Sequence, residues 1–74
     1  DPTNAYFYAR LGRIWIERRY WKEAAAAIEQ AIQLDPENGS CHSEQAYLFY
    51  HQDRFQDAIF AAERALALDP EDTQ

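Results

Sequence analysis

A fixed stride along the chain constrains this sequence more than any other feature. The dipeptide Asp-Pro begins at Asp1, Asp35 and Asp69, so the same step recurs at equal spacing. When residues 3–36 are aligned with residues 37–70, eight pairs are identical and several others keep their apolar or aromatic character. Matched apolar positions at a period of this size indicate a stacked structural repeat.

Each of these two blocks contains two stretches with the apolar spacing of a helix. In the first block one helix face carries Tyr8, Leu11, Gly12 and Trp15, and the pattern restarts at Trp21 after a polar break. Alanine, leucine, isoleucine and glutamate favour helix, and two Gly and three Pro are too few for the turns of an all-β domain. We therefore predict an all-α fold with four helices, near residues 5–18, 21–34, 39–52 and 55–68.

The Asp-Pro steps are predicted to end helices. Proline has no amide N–H to donate, and it disfavours helical backbone in the residue before it. Two residues after each proline stands an Asn or Asp, namely Asn4, Asn38 and Asp72, whose side-chain oxygen suits the N-cap of a following helix. Each Asp-Pro step is thus interpreted as the end of one helix, followed by the start of the next.

Small residues mark the places where the two helices of a block are expected to approach closely. Gly12 and Ala46 on the first helices are predicted to face four alanines on the second helices: Ala24, Ala27, Ala58 and Ala61. Four aromatic residues are predicted to fill the wider gaps: Trp15, Trp21, Phe49 and Phe55.

The net charge of −6 lies entirely in the second half of the chain. Residues 1–36 hold five acidic and five basic residues, whereas residues 37–74 hold eight acidic and two basic ones. An acidic chain disfavours unspecific binding to nucleic acid or to anionic lipid. Five basic residues between positions 10 and 22 leave nucleic acid as a minor alternative to a solvated helix face.

Other sequence features bear on disulfide formation, on the cellular compartment and on membrane insertion. Cys41 is the only cysteine, so no disulfide forms within the chain, and a lone thiol leans towards a reducing compartment. No apolar run approaches the length of a membrane span, and the sequence carries no signal-peptide pattern. Because the sequence begins at Asp1 without a methionine, we expect it to be a piece of a longer protein.

Catalytic and metal-binding arrangements are not predicted. Cys41 and His42 are adjacent, so on a helix they point about 100° apart and cannot form a nucleophile–base pair. His42 and His51 are nine residues apart, too far for the one-turn spacing of a shared metal ligand pair. No glycine-rich phosphate loop occurs. We therefore expect no catalysis, no cofactor and no metal.

The first block resembles the tetratricopeptide repeat family, whose 34-residue unit is a helix-turn-helix with a Trp-Leu-Gly-Tyr…Ala…Phe…Pro signature. In residues 5–36, Tyr8 takes the Trp place, Leu11-Gly12 is intact and Trp15 takes the Tyr place. The remaining signature places hold Ala24, Ile28, Ala31 and Pro36.

The second block resembles the same family with more departures. Phe49 holds the Tyr place and Ala62 the Phe place, while the Trp, Leu and Gly places hold His42, Gln45 and Ala46. Intact places hold Ala58, Ala65 and Pro70. We interpret residues 1–74 as a single domain with one repeat at 5–38 and another at 39–72.

The resemblance implies a right-handed superhelical α-solenoid that serves as a non-catalytic scaffold for protein–protein contacts. In this family the first helix of each unit lines a concave groove that receives a partner's peptide or helix. Carried onto this chain, the predicted groove consists of Tyr6, Ala9, Arg13, Ile16, Glu17, Ser40, Ser43, Tyr47, Tyr50 and His51.

The type of partner follows from what stands in the groove. Some family members clamp C-terminal carboxylates with Lys, Arg and Asn residues, but only Arg13 remains at the corresponding places here. We therefore expect an apolar or aromatic partner segment. An exposed tyrosine cluster, here Tyr6, Tyr47 and Tyr50, is typical of contact surfaces, although these residues could also pack on a neighbouring helix.

A second hypothesis is a structural element that assembles with copies of itself. A repeat cannot bury its apolar face alone, and repeat arrays usually need about three units or a polar capping helix. We expect exposed apolar residues at both ends of this pair of repeats, namely Phe7, Ile14, Ile59, Phe60, Ala62 and Leu66. These ends would make the chain a homo-oligomer.

Overall fold

The computed structural model describes residues 2–68, which fold into four α-helices. They are α1 (Pro2–Glu17), α2 (Trp21–Leu34), α3 (Gly39–His51) and α4 (Phe55–Leu68). α1 packs along α2 and α3 packs along α4, while α3 also contacts both α1 and α2. The predicted all-α architecture of stacked helix-turn-helix repeats is confirmed, and no helix in residues 2–68 is both long and apolar enough to cross a membrane.

The turns inside the two repeats have the same backbone geometry despite different residues. Arg19 and Asp53, which occupy equivalent positions in the two repeats, both adopt a left-handed conformation, with φ of 66° and 62°. In each turn the amide of the next residue donates to the carbonyl five residues before it at 2.9 Å. A non-glycine residue is uncommon in this conformation, so its recurrence at equivalent positions identifies the turn as part of the repeat.

The junction between the repeats agrees with the predicted stop and start. α2 ends at Leu34, and the amide of the next residue, Asp35, donates to the carbonyl of Ala31. Asn38 precedes α3, and its Oδ1 accepts a hydrogen bond from the amide of Ser40 at 2.9 Å. The N-cap predicted at Asn38 is therefore confirmed.

The first predicted cap is wrong. α1 begins at Pro2, so Asn4 lies inside the helix and does not cap it. Proline is well suited to the first helical position, because the amide hydrogen that it lacks has no partner there in any helix. The cap predicted at Asp72 and the stop at Asp69-Pro70 lie outside the described residues.

Two buried clusters join the repeats, and each contains residues of α1, α2 and α3. The smaller-residue cluster consists of Ala5, Ala9, Ala31 and Cys41. The branched-residue cluster consists of Ile16, Ala24, Ile28 and Leu48. Because α3 contributes to both clusters, the second repeat completes the core of the first.

Gly12 allows α1 and α2 to approach as closely as the sequence predicted. A Cβ atom at this position would lie 2.6 Å from Cγ1 of Ile28 and 3.6 Å from the carbonyl oxygen of Ala24. The first distance is far inside van der Waals contact, so any larger residue would displace the Ile28 side chain.

The predicted aromatic packing holds for three of the four residues and fails at Phe55. Trp15, Trp21 and Phe49 are half-buried, but Phe55 is 52% exposed. The difference comes from stacking: Trp21 is flanked by His51 of α3, with ring centroids 6.3 Å apart. Phe55 is the equivalent residue of repeat two, and no helix of residues 2–68 stands beyond it.

His42 takes a buried position in α3, where repeat one has the half-buried Tyr8. Its Nε2 donates to the backbone carbonyl of Pro36 at 2.9 Å, which ties the start of α3 to the connection between the repeats. Within the described residues its Nδ1 is buried without a hydrogen-bond partner.

Cys41 is fully buried between the repeats, and burial raises the pKa of its thiol above the ordinary 9.0, assisted by the carboxylates of Asp35 and Glu44. The fold thus favours the neutral thiol. The resulting stability is present below the ordinary pKa of 9.0 and is lost as the pH rises through the elevated pKa.

We predict that maleimide labels Cys41 at neutral pH at least ~100-fold more slowly in the folded chain than in urea. The reactive thiolate is disfavoured, and labelling requires α3 to separate from α1 and α2. A Ser40→Cys/Cys41→Ser variant is the control, because Ser40 is exposed and should label rapidly. Equal labelling rates at positions 40 and 41 would show that the junction between the repeats is open.

Candidate partner-binding surface

Arg13 connects the two repeats at the centre of the predicted groove. Its Nε donates to Oε1 of Glu44 at 2.8 Å, so that α1 is joined to α3. The guanidinium also lies over the ring of Tyr47, with Cζ 4.0 Å from the ring centroid. Arg13 is held on both sides, and its charge is already balanced by Glu44.

Aromatic rings continue from Tyr47 towards the turn of repeat two. His51 packs edge-on against Tyr47 and Tyr50, with centroid distances of 4.5 and 5.5 Å. Tyr50 in turn packs against Phe55 at 5.8 Å. Trp21 stacks on His51, and these rings together form an aromatic cluster made of Trp21, Tyr47, Tyr50, His51 and Phe55.

A cleft of about 390 Å³ opens beside this cluster, between α3 and α4. It is lined by Arg13, Ser43, Ala46, Tyr47, Tyr50, Ala58, Ile59 and Ala62. Most of these side chains present carbon to the cleft, and Tyr50 and Ile59 are 59% and 55% exposed. We call this the α3–α4 cleft. It suits an apolar side chain that carries a hydrogen-bonding group at its edge.

A second hollow of about 290 Å³ lies where the end of α1 and the start of α2 meet α3. It is lined by Ile16, Glu17, Arg19, Trp21, Tyr47 and His51. Tyr47 lines both the cleft and this hollow, so the two depressions adjoin at the junction between the repeats. The carboxylate of Glu17 and the guanidinium of Arg19 make this second hollow more polar than the cleft.

The structure brings together seven of the ten predicted groove residues. Six of them line the cleft or the hollow with side chains that reach the surface: Arg13, Glu17, Ser43, Tyr47, Tyr50 and His51. The seventh, Ile16, reaches the hollow but is buried. Tyr6 and Ser40 are exposed but line neither hollow, and Tyr6 is paired with Arg10, whose Cζ lies 5.6 Å from the ring centroid.

The prediction that Ala9 and Ile16 contact a partner needs correction. Ala9 is 3% exposed and packs with Cys41, and Ile16 is 2% exposed and packs with Leu48. Both side chains are covered by α3, so they belong to the core between the repeats. The periodicity of α1 alone could not reveal this, because it does not show where the next repeat sits.

Several surface residues of the site were not predicted. The sequence predicts Trp21 and Phe55 as gap-filling interior residues and Ala58 on α4 as a helix-packing residue only. A signal for Ala58 was present, because the equivalent of Ala58 in repeat one is Ala24, which contacts α3. Shifting each inter-repeat contact by one repeat length would have identified it.

The described residues offer no arrangement for metal chemistry: in residues 2–68 no three His, Cys, Asp or Glu side chains are grouped to hold a metal ion. The charge of Arg13, which lines the cleft, is neutralised by Glu44. The cleft and the hollow present aromatic rings, apolar side chains and a few hydrogen-bonding groups.

Two stacked helix hairpins, with an aromatic cluster at their junction, define this chain as a helical repeat protein. The Tetratricopeptide repeat family model matches residues 5–38 and residues 39–72, so the chain belongs to the tetratricopeptide repeat family. Repeats of this family generally mediate protein–protein interaction and are typically non-catalytic. No curated protein and no solved structure matches the chain.

Proposed function

We propose that this chain is a non-catalytic scaffold that binds a partner peptide or helix along α1 and α3, with the α3–α4 cleft as the main contact. The observation that carries the proposal is the aromatic cluster that borders an apolar cleft through Tyr47 and the exposed Tyr50. Tyrosine and tryptophan supply large contact areas at low entropic cost, and they are enriched among the residues that dominate binding energy.

The charges at the site support an apolar or aromatic partner segment in preference to a carboxylate. Among the described residues, Arg13 is the only cationic side chain that lines the cleft, and it is already paired with Glu44 at 2.8 Å. A carboxylate partner would have to compete with that ion pair and would meet the negative second half of the chain. An apolar side chain gains instead from the removal of carbon surface from water.

We predict that Tyr50→Ala weakens peptide binding at least ~10-fold, since removal of a central aromatic contact commonly costs ~2 kcal/mol or more. The peptides would be selected from a displayed library of amphipathic helices. Affinity would be measured by fluorescence anisotropy, and the contact surface would be mapped by amide shifts in NMR spectra. The control is Phe60→Ala, because Phe60 is an equally exposed aromatic residue on α4 that lies outside the cleft.

The proposal fails if the selected peptides bind equally well to both variants, or if the shifts lie away from α3. Far-UV circular dichroism should show unchanged helicity for Tyr50→Ala, because more than half of this side chain is exposed. Unfolding of that variant would assign Tyr50 to the core and remove it from the site.

Self-assembly is a second candidate function, and the ends of the repeat pair support it. Phe7 and Ile14 on α1 and Ile59 and Leu66 on α4 are all about half exposed or more. Apolar residues concentrated on two opposite ends favour association of copies through those ends.

A further inference from the structure

Within the chain, α3 of the second repeat packs on α1 and α2 of the first. This interface indicates which kind of helix face can pack on the uncovered surface of α3 and α4. Leu48 of α3 is buried against Ile16 of α1 and against Ala24 and Ile28 of α2. These three residues form a seat for one branched side chain. The contact is part of the core, so its geometry is fixed by packing on all sides.

The same seat recurs one repeat later, and nothing in residues 2–68 fills it. The equivalents of Ile16, Ala24 and Ile28 are Tyr50, Ala58 and Ala62. All three line the α3–α4 cleft. The cleft is therefore the second copy of the seat that α3 occupies on repeat one.

The matching side chains stand at the other end of the same chain. The equivalent of Leu48 is Ile14, which is 50% exposed, and the equivalent of Cys41 is Phe7, which is 60% exposed. They are seven residues apart and share one face of α1. Cys41 sits beside Ala9 and Ala31, and in a second copy Phe7 would meet their equivalents, which are no larger than serine.

The charges at the two ends are complementary. Glu29 and Gln52 border one cavity at the contact of α2 with α3. Their equivalents are Glu63 and, on the occupying helix, Arg18, so a carboxylate and a guanidinium would face each other at this place if a second copy occupied the cleft. The acidic second half of the chain would repel another acidic second half and attract the first, which carries the basic cluster.

We propose that the α3–α4 cleft binds α1 of a second copy of this chain, head to tail, with Ile14 in the seat formed by Tyr50, Ala58 and Ala62. This proposal deepens the self-assembly candidate, since it names the two surfaces and their register. The two surfaces are different, so the contact is heterologous and each bound copy leaves a free cleft for the next.

Two variants that each block one surface test this arrangement. Ile14→Lys removes the occupying side chain, and Ile59→Lys places a charge at the wall of the cleft; both positions are exposed and lysine is compatible with helix. Phe60→Lys is the matched control, since it also puts a lysine on an exposed apolar position of α4, outside the cleft. Circular dichroism would establish that all three variants are folded.

Light scattering after size exclusion, over a dilution series, should give a mass for the unaltered chain and for Phe60→Lys that rises with concentration past two copies. Ile14→Lys and Ile59→Lys should each stay at 8.7 kDa. An equimolar mixture of those two variants should form dimers and no larger species. Each pair contains one intact α1 surface, from Ile59→Lys, and one intact cleft, from Ile14→Lys.

Three results would overturn the proposal: an unaltered chain that stays monomeric at every concentration, blocked variants that still associate, or a mixture that forms no dimer. Association of the blocked variants would indicate helix exchange or another interface. The peptide-binding proposal is judged separately, on the monomeric Ile14→Lys variant, whose cleft is intact.

Discussion

Replacement of Ile28 by alanine is expected to lower the free energy of unfolding by about 2–5 kcal/mol, because it leaves a cavity where three helices meet. Ile28 is 1% exposed and packs with Ile16 of α1 and Leu48 of α3. Domains have roughly 0.1 kcal/mol of stability per residue, or about 7 kcal/mol for a chain this short, so a loss of this size removes between about a quarter and two-thirds of the total. We expect the variant to remain folded in water and to unfold at a markedly lower urea concentration.

Urea unfolding followed by far-UV circular dichroism measures this loss. Ile14→Ala is the matched control, since the same substitution on the half-exposed face of α1 should change stability by no more than about 0.5 kcal/mol. Both measurements belong at low protein concentration, so that self-association does not contribute. A loss at Ile28 no larger than that of the control would show that the three-helix junction relaxes around the cavity and is not closely packed.

The helix boundaries illustrate what the sequence could predict. α2 and α4 span the residues that were expected, because an aromatic residue opens each apolar pattern and the pattern itself ends at Leu34 and Leu68. α1 starts three residues earlier than expected, because the sequence offers both Asn4 as a cap and Pro2 as an equally compatible helix start. Local signals identified each element, but they could not choose between two acceptable starts.

The candidate site was less predictable for a tertiary reason. Ala9 and Ile16 lie on the helix face that was assigned to the groove, yet α3 covers both of them. Hydrophobic periodicity shows that a helix has a buried face, but it does not show how many neighbours share that face. The position of α3 depends on contacts between residues far apart in the sequence, such as the pair Arg13–Glu44.

Ala24→Leu is the second substitution with a large expected effect. Ala24 is fully buried in the same cluster as Ile28, and its carbonyl oxygen borders the space beside Gly12. Three additional carbons at this contact should cost about 1–3 kcal/mol through overpacking. Ala26→Leu is the control: Ala26 is exposed on the same helix, so the same change there should be close to neutral. Thermal unfolding that affects both variants equally would contradict the close approach of α1 and α2.

The double variant Ala24→Leu/Ile28→Ala connects the two predictions. The residues are one helical turn apart and share a cluster, so the volume added at residue 24 can partly occupy the cavity left at residue 28. We expect the double variant to lose at least ~0.5 kcal/mol less than the sum of the single losses. Strict additivity would mean that the two side chains occupy separate spaces, and the junction of α1, α2 and α3 would then be two contacts instead of one packed core.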